Sequence, residues 1–153
     1  MIASNVIKRR HPLDRGKLFV DGRRVLGNSK SVEGFIAGVL GGLLTGVAYA
    51  IILANPYWVA YGAVSGFGAM AGDSINSFVK RRLGLRSGEP FIPLDQLSFI
   101  LVAFALIKAT HVDRLAGYTV TLVDFSVIVY VVMVLHPLTN LIAYLIGLKD
   151  EPY

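Results

Sequence analysis

The chain has 153 residues, 54% of them hydrophobic and 16% charged, with fifteen Lys and Arg against ten Asp and Glu and a formal net charge of +5. That length carries one domain, and a composition this apolar excludes a water-exposed globule, so the chain is read as a membrane protein. The lack of cysteine excludes disulfides and thiolate metal sites.

The opening Met1-Ile2-Ala3-Ser4-Asn5-Val6-Ile7 meets Lys8-Arg9-Arg10 at once, without an apolar core or a small-residue cleavage site, so no signal peptide is expected. Residues 1–34 are polar and cationic. Within them Pro12-Leu13-Asp14-Arg15-Gly16 and Val20-Asp21-Gly22-Arg23-Arg24 each read as a turn. Residues 35–54 are then uncharged for about 30 Å of helix, the thickness of a bilayer core. Gly34, Gly38, Gly42 and Gly46 leave one face of this first span bare for another backbone. Asn55-Pro56 breaks it, Tyr57 and Trp58 suit an interface, and residues 57–79 form a second helix. Its pairs Gly62/Gly66 and Gly68/Gly72 predict a tight antiparallel hairpin with the first.

A basic loop at 80–94 follows, punctuated by Gly84, Gly88, Pro90 and Pro93. Residues 95–112 read as a third span opened by Asp95 and ended by a snorkelling Lys108. A fourth is expected at 118–136. The run 138–148, behind His136-Pro137, is too short to cross and reads as a half-span or short fifth helix. The expected fold is all-α, a polytopic transmembrane bundle of four full spans plus that C-terminal piece, with cytoplasmic loops forming the active site. Twelve of the fifteen basic residues precede the first span or follow the second, which places those loops in the cytoplasm of a multi-pass cell-membrane protein.

Chemistry concentrates between Gly72 and Gln96. On a helix Asp73, Ser77 and Lys80 or Arg81 share one face, and Asp95 enters from the far side of the basic loop. Two such carboxylates suit a hard cation such as Mg²⁺ when a substrate's phosphates complete its oxygen shell, and Lys80, Arg81, Arg82 and Arg86 suit that anion. The same Lys80-Arg81-Arg82 run also reads as a positive flank that does no more than fix topology, and Asp73 also reads as a partner for Arg81. Asp124 reads as structural near the outer interface. His111 and His136 border helices without metal-ligand spacing, and His11 has no assigned role. Two rival classes remain: an ion path through an oligomer built on Asp73 and Asp124, which the one-sided polarity disfavours, and a polybasic scaffold for anionic lipid, which leaves the acids unexplained.

The pattern Asp73-Ser74-x-x-Ser77-Phe78-x-Lys80-Arg81-Arg82-x-Gly84-x-x-x-Gly88, followed by Pro93-Leu94-Asp95-Gln96-Leu97, resembles the signature of the CDP-archaeol synthases, archaeal relatives of CDP-diacylglycerol synthase. Two further stretches agree with it. Pro12-x-Asp14-x-Gly16-x-x-Phe19-x-Asp21-Gly22-Arg23-Arg24-x-x-Gly27 resembles the first cytoplasmic motif, and Gly27-Asn28-Ser29-Lys30-Ser31-Val32-Glu33-Gly34 the element that opens the next helix. Ser98 departs from it, standing where a second acid is expected. Relatives are also expected to begin with a further apolar segment, of which residues 1–5 resemble the tail.

The resemblance implies a Mg²⁺-dependent cytidylyl transfer from CTP to a geranylgeranyl ether-linked glycerol phosphate, releasing pyrophosphate. A diacylglycerol-type synthase with broader lipid use is the alternative. It implies Asp73 and Asp95 as metal ligands, with Lys80, Arg81 and Arg86 on phosphates and Ser77 and Gln96 positioning substrate. Asp21, Arg23, Asn28 and Lys30 would cover the nucleotide, and the lipid tails would leave through a groove between spans. Partners are then CTP, the lipid phosphate and membrane lipid, with no nucleic acid and a homo-oligomer left open.

Overall fold

The computed structural model describes residues 11–87, 89, 91 and 94–147, with His136 and Asn140 as backbone alone. The expectations for Lys8-Arg9-Arg10, Gly88, Pro90, Pro93, the side chain of His136 and the end of the last run at Leu148 lie outside the described residues. Among the described residues five helices follow in order: α1 (Val32–Ile52), α2 (Tyr57–Arg82), α3 (Leu94–Thr110), α4 (Val112–Leu115) and α5 (Leu122–Leu145).

Helix α1 begins three residues before the expected start because Ser31 caps it, its hydroxyl accepting from the Gly34 N–H at 3.1 Å, with Glu33 in the favoured first turn. Helix α2 has 26 residues, about 39 Å, so its basic last turns outrun a bilayer core. The two form the expected hairpin. A Cβ on Gly62 would lie 2.4 Å from the Gly42 carbonyl oxygen, and one on Gly46 2.5 Å from that of Trp58. The second glycine pair of α2 faces elsewhere: Gly68 and Gly72 bring in α3, where their Cβ atoms would meet Ala103 Cα at 2.6 Å and the Ser98 carbonyl at 2.5 Å. Among the described residues Gly34 makes no interhelical approach. Helix α2 is therefore the central element, with glycine faces toward two neighbours.

Helix α3 starts at Leu94, and the expected outer loop folds into the single turn α4. Lys108 donates to Asp113 at 2.7 Å and to the Val120 carbonyl at 2.8 Å, joining α3 to the start of α5. Instead of two elements parted at His136-Pro137, α5 is one helix of 24 residues with Pro137 inside it. Proline removes a single donor and crowds one carbonyl, whereas unwinding here would strip backbone bonds from an apolar segment. No residue of α5 with a described side chain is buried, and Leu122, Val123 and Tyr130 are each more than 70% exposed, as a lipid-facing helix requires. Helices α1 and α5 have the length and composition to cross a membrane.

Before α1 the chain is a folded strap. Isolated bridges pair Pro12 with Ser31 and Leu18 with Arg24, and both expected turns are present. Its centre is Asp14, whose carboxylate accepts from the backbone of Gly16, Leu26 and Gly27 and from Arg24 at 2.7 Å.

Candidate functional site

The strap folds back onto the polar end of α2, and both acids singled out from the sequence meet a lysine there. Asp73 pairs with Lys30 at 2.5 Å, forty-three residues away in the chain. The pair lines a cleft of about 220 Å³ with Ser29, Ser31, Ser74 and Met70. Asp95 pairs with Lys80 at 2.9 and 3.0 Å, accepts from Asn76 Nδ2 at 2.6 Å and closes the turn before α3 by accepting from the Phe91 N–H at 2.8 Å. The shared helix face of Asp73, Ser77 and Lys80 is thus divided. Asp73 turns to the strap, Lys80 to α3, and Ser77, 6% exposed, donates to the Asp73 backbone carbonyl rather than to its carboxylate.

Among the described residues no three His, Cys, Asp or Glu side chains gather as a metal site. The donor set suits a Mg²⁺ that arrives with a substrate's oxygens, because such an ion needs one or two carboxylates and phosphates for the rest. It does not suit a resident ion held by protein alone. Gln96, 6% exposed, follows Asp95 on α3. Ser98, one turn on, has a buried Oγ without a hydrogen-bond partner among the described residues, as does Asn76 Oδ1.

Farther along α2 lies a basic cleft of about 390 Å³, lined by Arg23, Arg24, Asn28, Arg81 and Ser87. Arg23 caps α2, donating through Nη1 to the carbonyls of Arg81 and Arg82 at 3.2 and 2.9 Å. Arg82 lies against the edge-to-face pair of Phe19 and Phe78, 4.6 and 4.8 Å from the ring centroids, and its Nε sits 3.1 Å from Asp21. Asp21 thus ties the strap to α2 and is not among the cleft's lining. Asn28 accepts from Arg24 at 2.9 Å, and Arg86 is exposed outside the cleft.

Elsewhere the polar residues are engaged in structure. Asp124 forms a capping box with Thr121 and accepts from the Tyr118 hydroxyl at 2.5 Å, which removes it from any ion path with Asp73. His11 Nδ1 lies 2.5 Å from Glu33, and exposed His111 opens α4. Asn76, Arg24, Asp14 and Ser87 were not picked out as site residues. Asn76 had a legible signal, since it stands one turn before Lys80 and one after Gly72 on the face toward α3. Asp14 and Arg24 stand in the first motif, but their partners are set by the fold of the strap and could not be read from it.

An apolar groove of about 620 Å³ runs along the glycine-lined hairpin between α1, α3 and α5. Phe99 and Ala69 lie at the end nearest the acids, Trp58 and Tyr61 at the other. Helices α1 and α5 do not pack together among the described residues, which leaves the groove open between them.

A family model described as "CarS-like: CDP-archaeol synthase" matches residues 2–153. The CDP-archaeol synthase of Methanopyrus kandleri is 42% identical over 142 residues, covering 93% of this chain and 79% of that protein. That of Thermofilum pendens is 44% identical over 160 residues, covering 100% and 72%. A solved structure described as an intramembrane enzyme for archaeal membrane lipids biosynthesis superposes with a TM-score of 0.77 at 39% identity, covering 89% of this chain and 82% of that one.

Proposed function

The chain belongs to the CarS-like family of CDP-archaeol synthases, and from that premise we propose how its residues carry the family's reaction. The protein is a membrane-embedded cytidylyltransferase that joins CTP to an isoprenoid ether-lipid phosphate, giving CDP-archaeol and pyrophosphate. The observation that carries the assignment of residues is the pair of lysine-bridged acids, Lys30–Asp73 and Lys80–Asp95, at the polar end of the apolar groove.

In this reading the lipid's tails lie along the groove and its phosphate meets the Lys30–Asp73 cleft, while the nucleotide enters from the strap side. Asp73 and Asp95 would hold a Mg²⁺ that arrives with CTP. When bound, the ion neutralises phosphate charge and makes the α-phosphorus more open to attack. Lys30 and Lys80, which pair with the two carboxylates, would also be within reach of the substrate's phosphates. Asn76 fixes the orientation of Asp95, Arg81 and Arg23 face the triphosphate, and Ser77, Asn28 and Gln96 shape the pocket. Asp21 acts through Arg82 by holding the strap down, and exposed Arg86 adds positive potential at the entrance. Positioned charge in a water-poor cleft is what an in-line phosphoryl substitution needs, and no protein nucleophile takes part. The site faces the cytoplasm in a four-span arrangement, because the strap and the end of α2 carry most of the positive charge.

The test is incorporation of labelled CTP into a geranylgeranyl ether-lipid phosphate, with an ester-linked phosphatidate beside it. Activity is expected to vanish with EDTA and return with Mg²⁺, and Asp73→Asn and Asp95→Asn are each expected to lose it while keeping the folded helical spectrum. Full turnover in both variants would refute the metal assignment.

A further inference from the structure

The tip of the strap carries apolar surface that nothing among the described residues covers. Phe19 meets Phe78 edge-to-face, 5.2 Å between ring centroids, and Asp21 is paired with Arg82. The turn that the Gly22 N–H closes on the Phe19 carbonyl is thereby fixed to the end of α2. Beside that hold, Leu18 is 64% exposed and Val20 95%. Arg15 and Lys17 are exposed as well, and their side chains have no hydrogen bond or ion pair among the described residues. With its one acid answered by Arg82, the tip presents bare aliphatic side chains flanked by two free cations.

Position along α2 says what such a surface meets. Counted from the interfacial Tyr57, helix as far as Asn76 spans about 30 Å, the thickness of a bilayer core. Phe78, which holds the tip, stands about 3 Å beyond, at the depth of lipid headgroups. Helical periodicity sets the direction. Phe67, Ala71, Ile75, Phe78 and Arg82 recur every three or four residues on one stripe of α2, and Phe67 and Ile75 are 51% and 52% exposed. The stripe that looks onto lipid within the core is the one that Phe19 covers above it, so the tip overhangs the surrounding bilayer. Neither polar cleft is lined by Leu18, Phe19 or Val20.

We propose that the strap tip is an interfacial anchor, in which Leu18 and Val20 enter the boundary of headgroups and acyl chains beside α2 while Arg15 and Lys17 bind the phosphates of anionic phospholipid. Buried aliphatic area drives the insertion, and each cation close to an anionic surface favours the seated tip by about fivefold. The strap brings Lys30 to Asp73 and carries Arg24 and Asn28 on the wall of the arginine cleft. The surrounding lipid therefore helps to hold the cover of the site in place. The anchor rests on the membrane-embedded reading and is independent of which residue handles which substrate.

Because the chain has no cysteine, a single nitroxide on Val20→Cys follows the tip. The full chain is placed in nanodiscs of phosphatidylcholine, alone or mixed with phosphatidylglycerol. Relaxation of the nitroxide by oxygen, which concentrates among acyl chains, is compared with relaxation by a water-soluble nickel chelate. Oxygen is expected to dominate, and more so with phosphatidylglycerol. Arg15→Gln combined with Lys17→Gln is expected to lose that dependence on anionic lipid. Leu18→Asp, at an exposed position, is expected to pass the advantage to nickel while the helical spectrum is kept. A nitroxide relaxed mainly by nickel in both lipids overturns the anchor, and an oxygen preference indifferent to phosphatidylglycerol overturns the part given to Arg15 and Lys17. In unlabelled protein, Leu18→Asp is expected to lower turnover of labelled CTP, and a rate equal to that of the parent overturns the link from anchor to site. If neither protein forms a CTP-dependent lipid product, the enzymatic reading fails and the nitroxide alone decides the anchor.

Discussion

Asp14 shows how much one side chain can organise. Burial by itself raises its pKa, but the Arg24 guanidinium and the amides of Leu26, Gly16 and Gly27 overcome that effect and hold the carboxyl well below the usual carboxylate range. A group depressed on folding stabilises fully above its unfolded pKa of about 4 and loses that contribution as pH falls. Exchange of the Leu26 and Gly27 amides is therefore expected to accelerate as pH drops below about 4, after correction for intrinsic rates. Asp14→Asn removes the buried partner of a partly exposed arginine, and is expected to lower the unfolding midpoint. Unchanged exchange and midpoint would mean the strap is held by other contacts. At the end away from the strap, Lys108 likewise holds the Asp113 carboxyl below its ordinary value. Asp14 stood in a motif legible from the sequence. Its role was not, because four of its partners are two to thirteen residues away along a path that only the folded turn defines.

Among the elements, α2 decides the architecture through two glycine pairs on different faces. Gly62→Ala would force a methyl to within 2.4 Å of the Gly42 carbonyl, where rigid backbone cannot yield. We expect separation of the hairpin and a loss of about 1–3 kcal/mol. Gly41→Ala is the control: its Cβ meets nothing within 4 Å, and alanine is expected to be neutral or to stabilise α1 by up to about 1 kcal/mol. Thermal unfolding of both variants in one detergent checks this, and equal midpoints would overturn the close-approach account. The sequence showed that these glycines pack but not which pair met which helix. A four-residue spacing reports a bare face without naming its neighbour.

Across the whole molecule, polar chemistry lies at one end and an apolar groove continues from it. A chain without cysteine allows a direct test of orientation. Lys17→Cys on the strap is expected to react with an impermeant maleimide only after the cell is opened, and Arg114→Cys, exposed in α4, in intact cells. Labelling of both from one side would invert or abolish the proposed topology. The long uncharged runs, the break at Asn55-Pro56 and the placement of acids beside a basic run were fixed by composition and local stereochemistry, because partition into a bilayer acts on each segment by itself. Tertiary structure alone decided that Lys30 answers Asp73, that Lys80 and Asn76 answer Asp95, and that α5 runs through Pro137. Those outcomes depend on the register between helices and on the path of the strap, and helical periodicity constrains neither.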